Sequence, residues 1–274
     1  MRKLLHKWRR GVLIGFGAVI LSTLGIQASD ELSGVASRLS GLVIESETSL
    51  CSEYAVPILF GTHTICMDTY EASPAKDCVY TAVGSELQTQ TNLTVGDCSA
   101  VSAPNVMPWS FVTYTQAEQL CARSGKRLPT SEEWYKVALG TADVAACFAG
   151  SAEKASLTGS VSCVTPTMVY DMVGNVWEWT ADTITNGVYK ERTLPDSGYV
   201  DLVDSNGVVV ESAARPSQSF GEDYAWVNKS GVRGVLRGGF YGSSKDGGIF
   251  SQNLSVELDF ASAGIGFRCV EDLR

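Results

Sequence analysis

Histidine is nearly absent from this chain of 274 residues: there are two, and only His63 lies beyond the first 28 positions. A metal centre built from clustered imidazoles, such as a two-histidine–carboxylate iron site, therefore cannot be assembled. A Ser-His-Asp hydrolase would have to use His63 itself, which sits in the strand-like stretch HTICMD beside Cys66 and reads as structural. No C-x2-C pair occurs, which together with the lone histidine argues against a zinc site. Positive charge is also scarce. Five of the 21 Lys and Arg fall in MRKLLHKWRR, leaving 16 basic against 30 acidic residues after position 28, a balance of −14. That field repels phosphate backbones and anionic lipid, so nucleic acid is not expected as a partner.

What is present begins with a leader. The basic decapeptide is followed by GVLIGFGAVILSTLGI, uncharged and 16 residues long, and then by a small residue, Ala28. This is the layout of a secretory signal over residues 1–28, or of an uncleaved N-terminal anchor, and the membrane is expected as a partner only through it. Residues 29–50 read as a polar tether and 51–274 as one domain. All eight cysteines lie in that domain, and an even count in an exported chain reads as a disulfide framework. The expected location is secreted or cell envelope.

Between 51 and 110, apolar stretches such as YAVPILFG, HTICMDTYEAS and NVMPWSFV alternate with Gly, Pro, Asp and Asn, which predicts short strands and loops. Two helices are then signalled. In TYTQAEQLCARSG, Thr115 and Glu118 form a capping-box pattern, Ala117, Leu120 and Cys121 share a face, and Gly125 ends the run. In PTSEEWYKVALG, Thr130 with Glu133 repeats the box, Trp134, Val137 and Ala138 form the buried face, and Gly140 terminates. Glu132 and Glu133 suit a helix N-terminus and need no catalytic role. The remainder is loop-rich with short β-like pieces. The fold class read from this pattern is α+β: two helices on an irregular, mostly antiparallel, loop-rich β framework.

Four motifs in order, GKRLPTSEEWYKVALG, DMVGNVWEWTAD, VLRGGFYG and GIGFRC, resemble the formylglycine-generating enzyme (sulfatase-modifying factor) family. CMDTYEAS resembles that family's opening strand, so the likeness spans roughly residues 58–270. It implies a variant of the C-type-lectin fold and a disulfide joining the first helix to the final strand, Cys121 with Cys269. Proximity in sequence pairs Cys51 with Cys66, Cys78 with Cys98, and Cys147 with Cys163.

The resemblance also defines what is missing. The family's oxidases hold copper on two cysteines between the RGG and GFR motifs, and residues 240–265 contain none. The related sulfoxide synthases need a histidine cluster, which His63 alone cannot supply. No copper or iron is expected, no catalytic residue is assigned, and the reading leans towards a non-catalytic member. The alternative is an oxidoreductase of the formylglycine-generating type with an altered metal site.

Two places remain. DMVGNVWEW is either a tight Gly-Asn turn packing Trp177 and Trp179, or a hard-cation site with Asp171 and Glu178 as charged ligands and the carbonyls of Gly174 and Val176 between them. The resemblance implies a structural calcium on those four positions. Glu178 as a catalytic acid has no visible partner. The segment 240–263 corresponds in the family to the substrate pocket, and its Ser, Gly, Asp, Asn, Tyr and Phe form an adaptable mixture. Phe240, Tyr241, Ser243, Ser244, Asp246, Phe250, Gln252 and Asn253 are the expected ligand-binding residues, with a protein, small molecule or glycan as ligand. Some lectin-fold members resemble the variable targets of diversity-generating retroelements. Most residues at 240–256 are reachable from asparagine codons, whereas Lys245, Gln252 and Glu257 are not and would be fixed.

Overall fold

The computed structural model describes residues 50–142, 147, 153–159, 163–243 and 246–273. The chain divides into two units, 1–50 and 51–274, and the fold belongs to the second. The leader over 1–28 and all but the last residue of the tether lie outside the described residues. Among the described residues no helix is long and apolar enough to cross a membrane.

Strands β1 (Ala55–Phe60) and β2 (His63–Asp68) form an antiparallel hairpin, and β14 (Val270–Asp272) returns from the other end of the chain to pair with β2. A two-stranded ribbon follows from β3 (Ala72–Pro74) and β4 (Ala100–Ser102). Among the described residues nine strands make the large sheet. Its spine is β5 (Trp177–Thr185), flanked by β11 (Val232–Arg237), antiparallel, and β13 (Ile265–Phe267), parallel. Beyond β11 come β12 (Gln252–Leu254), β10 (Tyr224–Val227), β8 (Gly198–Val203) and β9 (Val209–Ala213). The small strands β6 (Val188–Tyr189) and β7 (Arg192–Thr193) extend the other edge. The α+β, mostly antiparallel expectation holds.

Among the described residues three α-helices pack on this framework rather than the two expected. Helix α1 (Glu86–Leu93) lies where only strands and loops were read. Its sequence, ELQTQTNL, has no apolar stripe, and Ser85 makes no side-chain cap bond, so the usual signals are lacking. Polar contacts hold it instead: Trp109 Nε1 donates to Thr89 Oγ1 at 3.1 Å, and the Asn92 amide bridges both backbone groups of Tyr80. Helix α2 (Tyr114–Arg123) begins two residues earlier than its sequence suggests. The reciprocal box is Thr113 with Gln116, not Thr115 with Glu118. Tyr114 decides the start, because its ring packs edge-on against Trp179 at 5.8 Å and its hydroxyl donates to Ala181 O. Helix α3 (Ser131–Ala138) carries the Thr130–Glu133 box as read, with Trp134, Val137 and Ala138 buried.

The four disulfides are Cys51–Cys66, Cys78–Cys98, Cys121–Cys269 and Cys147–Cys163, and no cysteine is free. Cys121–Cys269 ties α2 to the chain end across 148 residues. Four such bonds fit an extracytoplasmic, oxidising compartment. The largest apolar cluster sits between α2 and the sheet, around Trp109, Leu120, Trp179 and Phe267.

Candidate functional site: a buried charge cluster and the open strap beside it

The turn from Asp171 to Val176 is wound through the left-handed region at Asp171 (φ 57°), Gly174 (82°) and Asn175 (53°). Short polar side chains and glycine tolerate that conformation, which is why DMVGNV closes so tightly. Gly174 N donates to Gly238 O at 3.0 Å. Gly238 itself is irreplaceable here: its φ is 91°, and an added Cβ would lie 2.6 Å from Met172 O. The RGG motif is thus pressed flat against the turn.

β5 leaves the turn with Glu178 pointing inward. The carboxylate receives Arg268 Nε at 2.8 Å and Trp134 Nε1 at 2.7 Å on Oε2, and Arg268 Nη2 at 2.6 Å on Oε1. Both partners of this ion pair are buried, with 0% and 1% of the side chain exposed. Arg268 further donates to the carbonyls of Asp68 and Tyr170. Asp171 Oδ2 accepts from Gly159 N at 2.6 Å. Glu71, fully buried, accepts from Val176 N and from the Asn175 amide, and Asn175 also binds Ser156.

Three buried carboxylates, Glu71, Asp171 and Glu178, therefore face one buried guanidinium. Burial, followed by the charges of Asp171 and Glu178, pushes the Glu71 carboxyl well above the usual carboxylate range. Burial disfavours charge on Arg268, but the carboxylates around it prevail and hold its pKa above the ordinary value. Of the sequence-predicted ligands, the structure brings Asp171 and Glu178 into one electrostatic cluster, and the backbone of Gly174 and Val176 runs between them. Glu71, Arg268, Trp134 and Asn175 were not foreseen. Glu71 and Arg268 do lie within the recognisable motifs CMDTYEAS and GIGFRC, which was the available signal.

Among the described residues no group of three or more His, Cys, Asp and Glu side chains is arranged to hold a metal ion. A calcium ion would have to rest on carboxylates and carbonyls together. Asp171 and Glu178 would supply the charged oxygens, and Arg268 competes with any cation for Glu178. Glu178 is already shared with Arg268 and Trp134, yet Oε1 receives a single donor and retains acceptor capacity.

The expected ligand-binding strap is less uniform than its composition suggests. Phe240 and Tyr241 are half-buried at the surface, their rings 5.0 Å apart, and Tyr241 N is fixed by Asn175 O. Ser243 is buried and accepts from Phe240 N. Asp246 is half-buried, and Ser244 lies outside the described residues. Phe250 is held between Tyr135 and Phe220. Gln252 is corrected outright: it is fully buried, accepting from Val209 N and donating to Gly207 O and Phe250 O, so it is framework. Asn253 caps its own turn by accepting from Ser255.

An open cavity of about 440 Å³ lies further along the strap, lined by Ser255, Val256, Glu257, Asp259 and Phe260. Phe260 is 50% exposed on its wall. Glu257 pairs with Arg233 at 3.2 Å from the neighbouring strand. All five residues fall inside 240–263, but none is among the expected ligand-binding residues. An aromatic between Asp259 and Ala261, outside any strand alternation, was the signal.

A match to the family described as Sulfatase-modifying factor enzyme 1-like domain extends over residues 63–273. Two curated relatives are both named Inactive C-alpha-formylglycine-generating enzyme 2. The one from Bos taurus is 28% identical and the one from Mus musculus 27%, each over 40% of this chain and 44% of the relative. The chain thus matches less than half the length of these relatives. Among solved structures, PvdO from Pseudomonas aeruginosa has a TM-score of 0.44 and 16% identity, covering 77% of this chain and 81% of that one. Major Tropism Determinant I1 Variant has 0.40 and 16%, over 80% and 55%. Treponema denticola variable protein 1 has 0.41 and 15%, over 80% and 99%. Likenesses at that level do not extend to function.

Proposed function

Because this chain belongs to the sulfatase-modifying factor family, we propose that it is an exported, non-catalytic member that binds a ligand through the surface of residues 240–263. The observation that carries the reading is an open 440 Å³ cavity in a strap without cysteine, on a domain whose eight cysteines are all consumed in disulfides. A soft thiolate pair is what would hold copper, and no residue offers one. The strap rests on a rigid base, with Gly238 against the turn and Gln252 sealed in the sheet, which suits recognition by exposed side chains. The names of the curated relatives, as inactive enzymes, agree with this reading.

The rival reading, an oxidoreductase with an altered metal site, is tested with copper and a cysteine-containing peptide. No thiol loss and no oxygen uptake are expected, and consumption of both would restore the enzyme. Diversification of the strap is tested in the genome: a reverse transcriptase beside the gene, with a near-copy of the codons for 233–269, would support it. The absence of both would assign the strap to a fixed ligand.

The charge imbalance around Glu178 favours a second element of the reading, a structural calcium held by Asp171 and Glu178 with the Gly174 and Val176 carbonyls. It would offset the surplus negative charge and brace the turn. Calcium should raise the melting temperature relative to chelator, and Asp171→Ala should remove that difference. Identical melting in both conditions would sink it.

A further inference from the structure

One face of the sheet at β8 and β10 carries a row of aromatic rings with an open side. Val200 and Ala225 enter the apolar cluster beneath the sheet. Strand alternation sends Tyr199, Tyr224 and Trp226 the other way, and the register sets Tyr199 directly across from Tyr224. The rings form a continuous row. Tyr199 meets Tyr224 edge-on at 5.2 Å, Tyr224 meets Trp226 at 4.8 Å, and Trp226 meets buried Trp177 at 5.7 Å. Anchored at Trp177, the row is ordered before any ligand arrives, so little side-chain entropy remains to be lost on binding. On β9, Ala213 stands opposite Tyr199 and contributes only a methyl group, leaving that ring uncovered.

A cavity of about 350 Å³ opens beside the row, lined among others by Asp196, Ser197, Tyr199, Ser212 and Tyr224. This is at the lower end of ligand-pocket sizes, ~300–1,000 Å³. Its rim is polar but locally neutral, since Asp196 is paired with Lys229 at 2.8 Å. The two serine hydroxyls are spent on the backbone at Val227 and Asp196. Among the described residues the hydroxyls of Tyr199 and Tyr224 have no hydrogen-bond partner.

We propose that this face is a second binding platform, separate from the 255–260 cavity, for the rings of a neutral carbohydrate. A pyranose presents a C–H face that packs on aromatic rings and hydroxyls that both donate and accept. The phenols of Tyr199 and Tyr224, the Asp196 carboxylate and the Lys229 ammonium supply both complements. A cationic ligand would have to displace Lys229, an anionic one would meet Asp196, and a purely apolar one would leave the rim unused.

The test is titration of the disulfide-intact exported chain with cellohexaose and chitohexaose, read by tryptophan fluorescence, because Trp226 lies in the row. Saturable binding of at least one is expected. Tyr199→Ala should weaken it about tenfold or more, whereas Tyr199→Phe, which keeps the ring, should stay within about threefold. Ala213→Trp, which deletes nothing and covers Tyr199, should block binding at an unchanged melting temperature. Phe260→Ala should have no effect. The proposal is overturned if neither sugar binds at ~10 mM, if Ala213→Trp binds as the unaltered chain does, or if Phe260→Ala abolishes binding.

Discussion

The turn at 171–179 and the strap at 240–260 lie against each other, joined by Gly174 N to Gly238 O and by Tyr241 N to Asn175 O. Both are built from Gly, Asn, Asp and aromatics. In the turn every charged group looks inward: Asp171 and Glu178 are at most 2% exposed, and Trp177 and Trp179 are buried. In the strap, Glu257, Asp259 and Phe260 look out over a cavity. The same residue types thus serve stability in one region and line an open surface in the other. Burial, not composition, separates the two roles. A carboxylate removed from water must be matched by a guanidinium, a proton or a cation, whereas one at the surface can wait for a ligand.

The contrast predicts a graded series. The largest effect should come from the frame that supports both regions. Replacing Cys121 and Cys269 together by serine should cost about 4–5 kcal/mol in denaturant unfolding, since the bond closes a loop of 148 residues. Next, Arg268→Ala strands Glu178 in the interior and should cost about 3–5 kcal/mol by the same measurement. A loss below 1 kcal/mol would show that the turn does not depend on its buried charge.

A smaller effect is expected at the Glu133–Arg127 pair, where the contacts are 2.7 Å and Arg127 is 36% exposed. Burial raises the Glu133 carboxyl, but Arg127 and the Thr130 N–H outweigh it and hold the folded value below the ordinary 4.5. Its contribution is therefore complete above pH 4.5 and is lost as pH falls through the lower folded value. Stability-against-pH curves of Glu133→Gln should lie about 1 kcal/mol below the parent at neutral pH and converge with it in acid. Equal spacing at all pH values would refute the assignment. The smallest stability effect belongs to the strap: Phe260→Ala should shift unfolding by less than about 0.5 kcal/mol while weakening ligand capture. A multi-kcal loss there would erase the distinction between the regions.

Much of the frame was legible in the residues. The Thr130–Glu133 box, the Gly140 stop and the four family motifs are local patterns, and local patterns survive folding. Helix α1 was not legible, because Thr89 and Asn92 are held by Trp109 and Tyr80 rather than by an apolar stripe. The start of α2 was misread because Tyr114 packs on Trp179, which lies 65 positions away. Within the site, Asp171 and Glu178 stood out in DMVGNVWEW, but Glu71 and Arg268 join them through the pairings of β13 with β5 and of β14 with β2. Gln252 looked like a surface loop residue and is sealed in the sheet, because β12 lies between β10 and β11.

The sequence by itself determined the family, the cysteine content, the absence of a thiolate pair from 240–265 and the scarcity of imidazole, since each is a matter of which atoms the chain owns. Only the tertiary structure decided which carboxylates are buried beside Arg268, which part of the strap is open and that Tyr199, Tyr224 and Trp226 form one row. Those depend on strand register and on what lies above each face, and side chains distant in sequence acquire their desolvation and their partners only when the sheet is assembled.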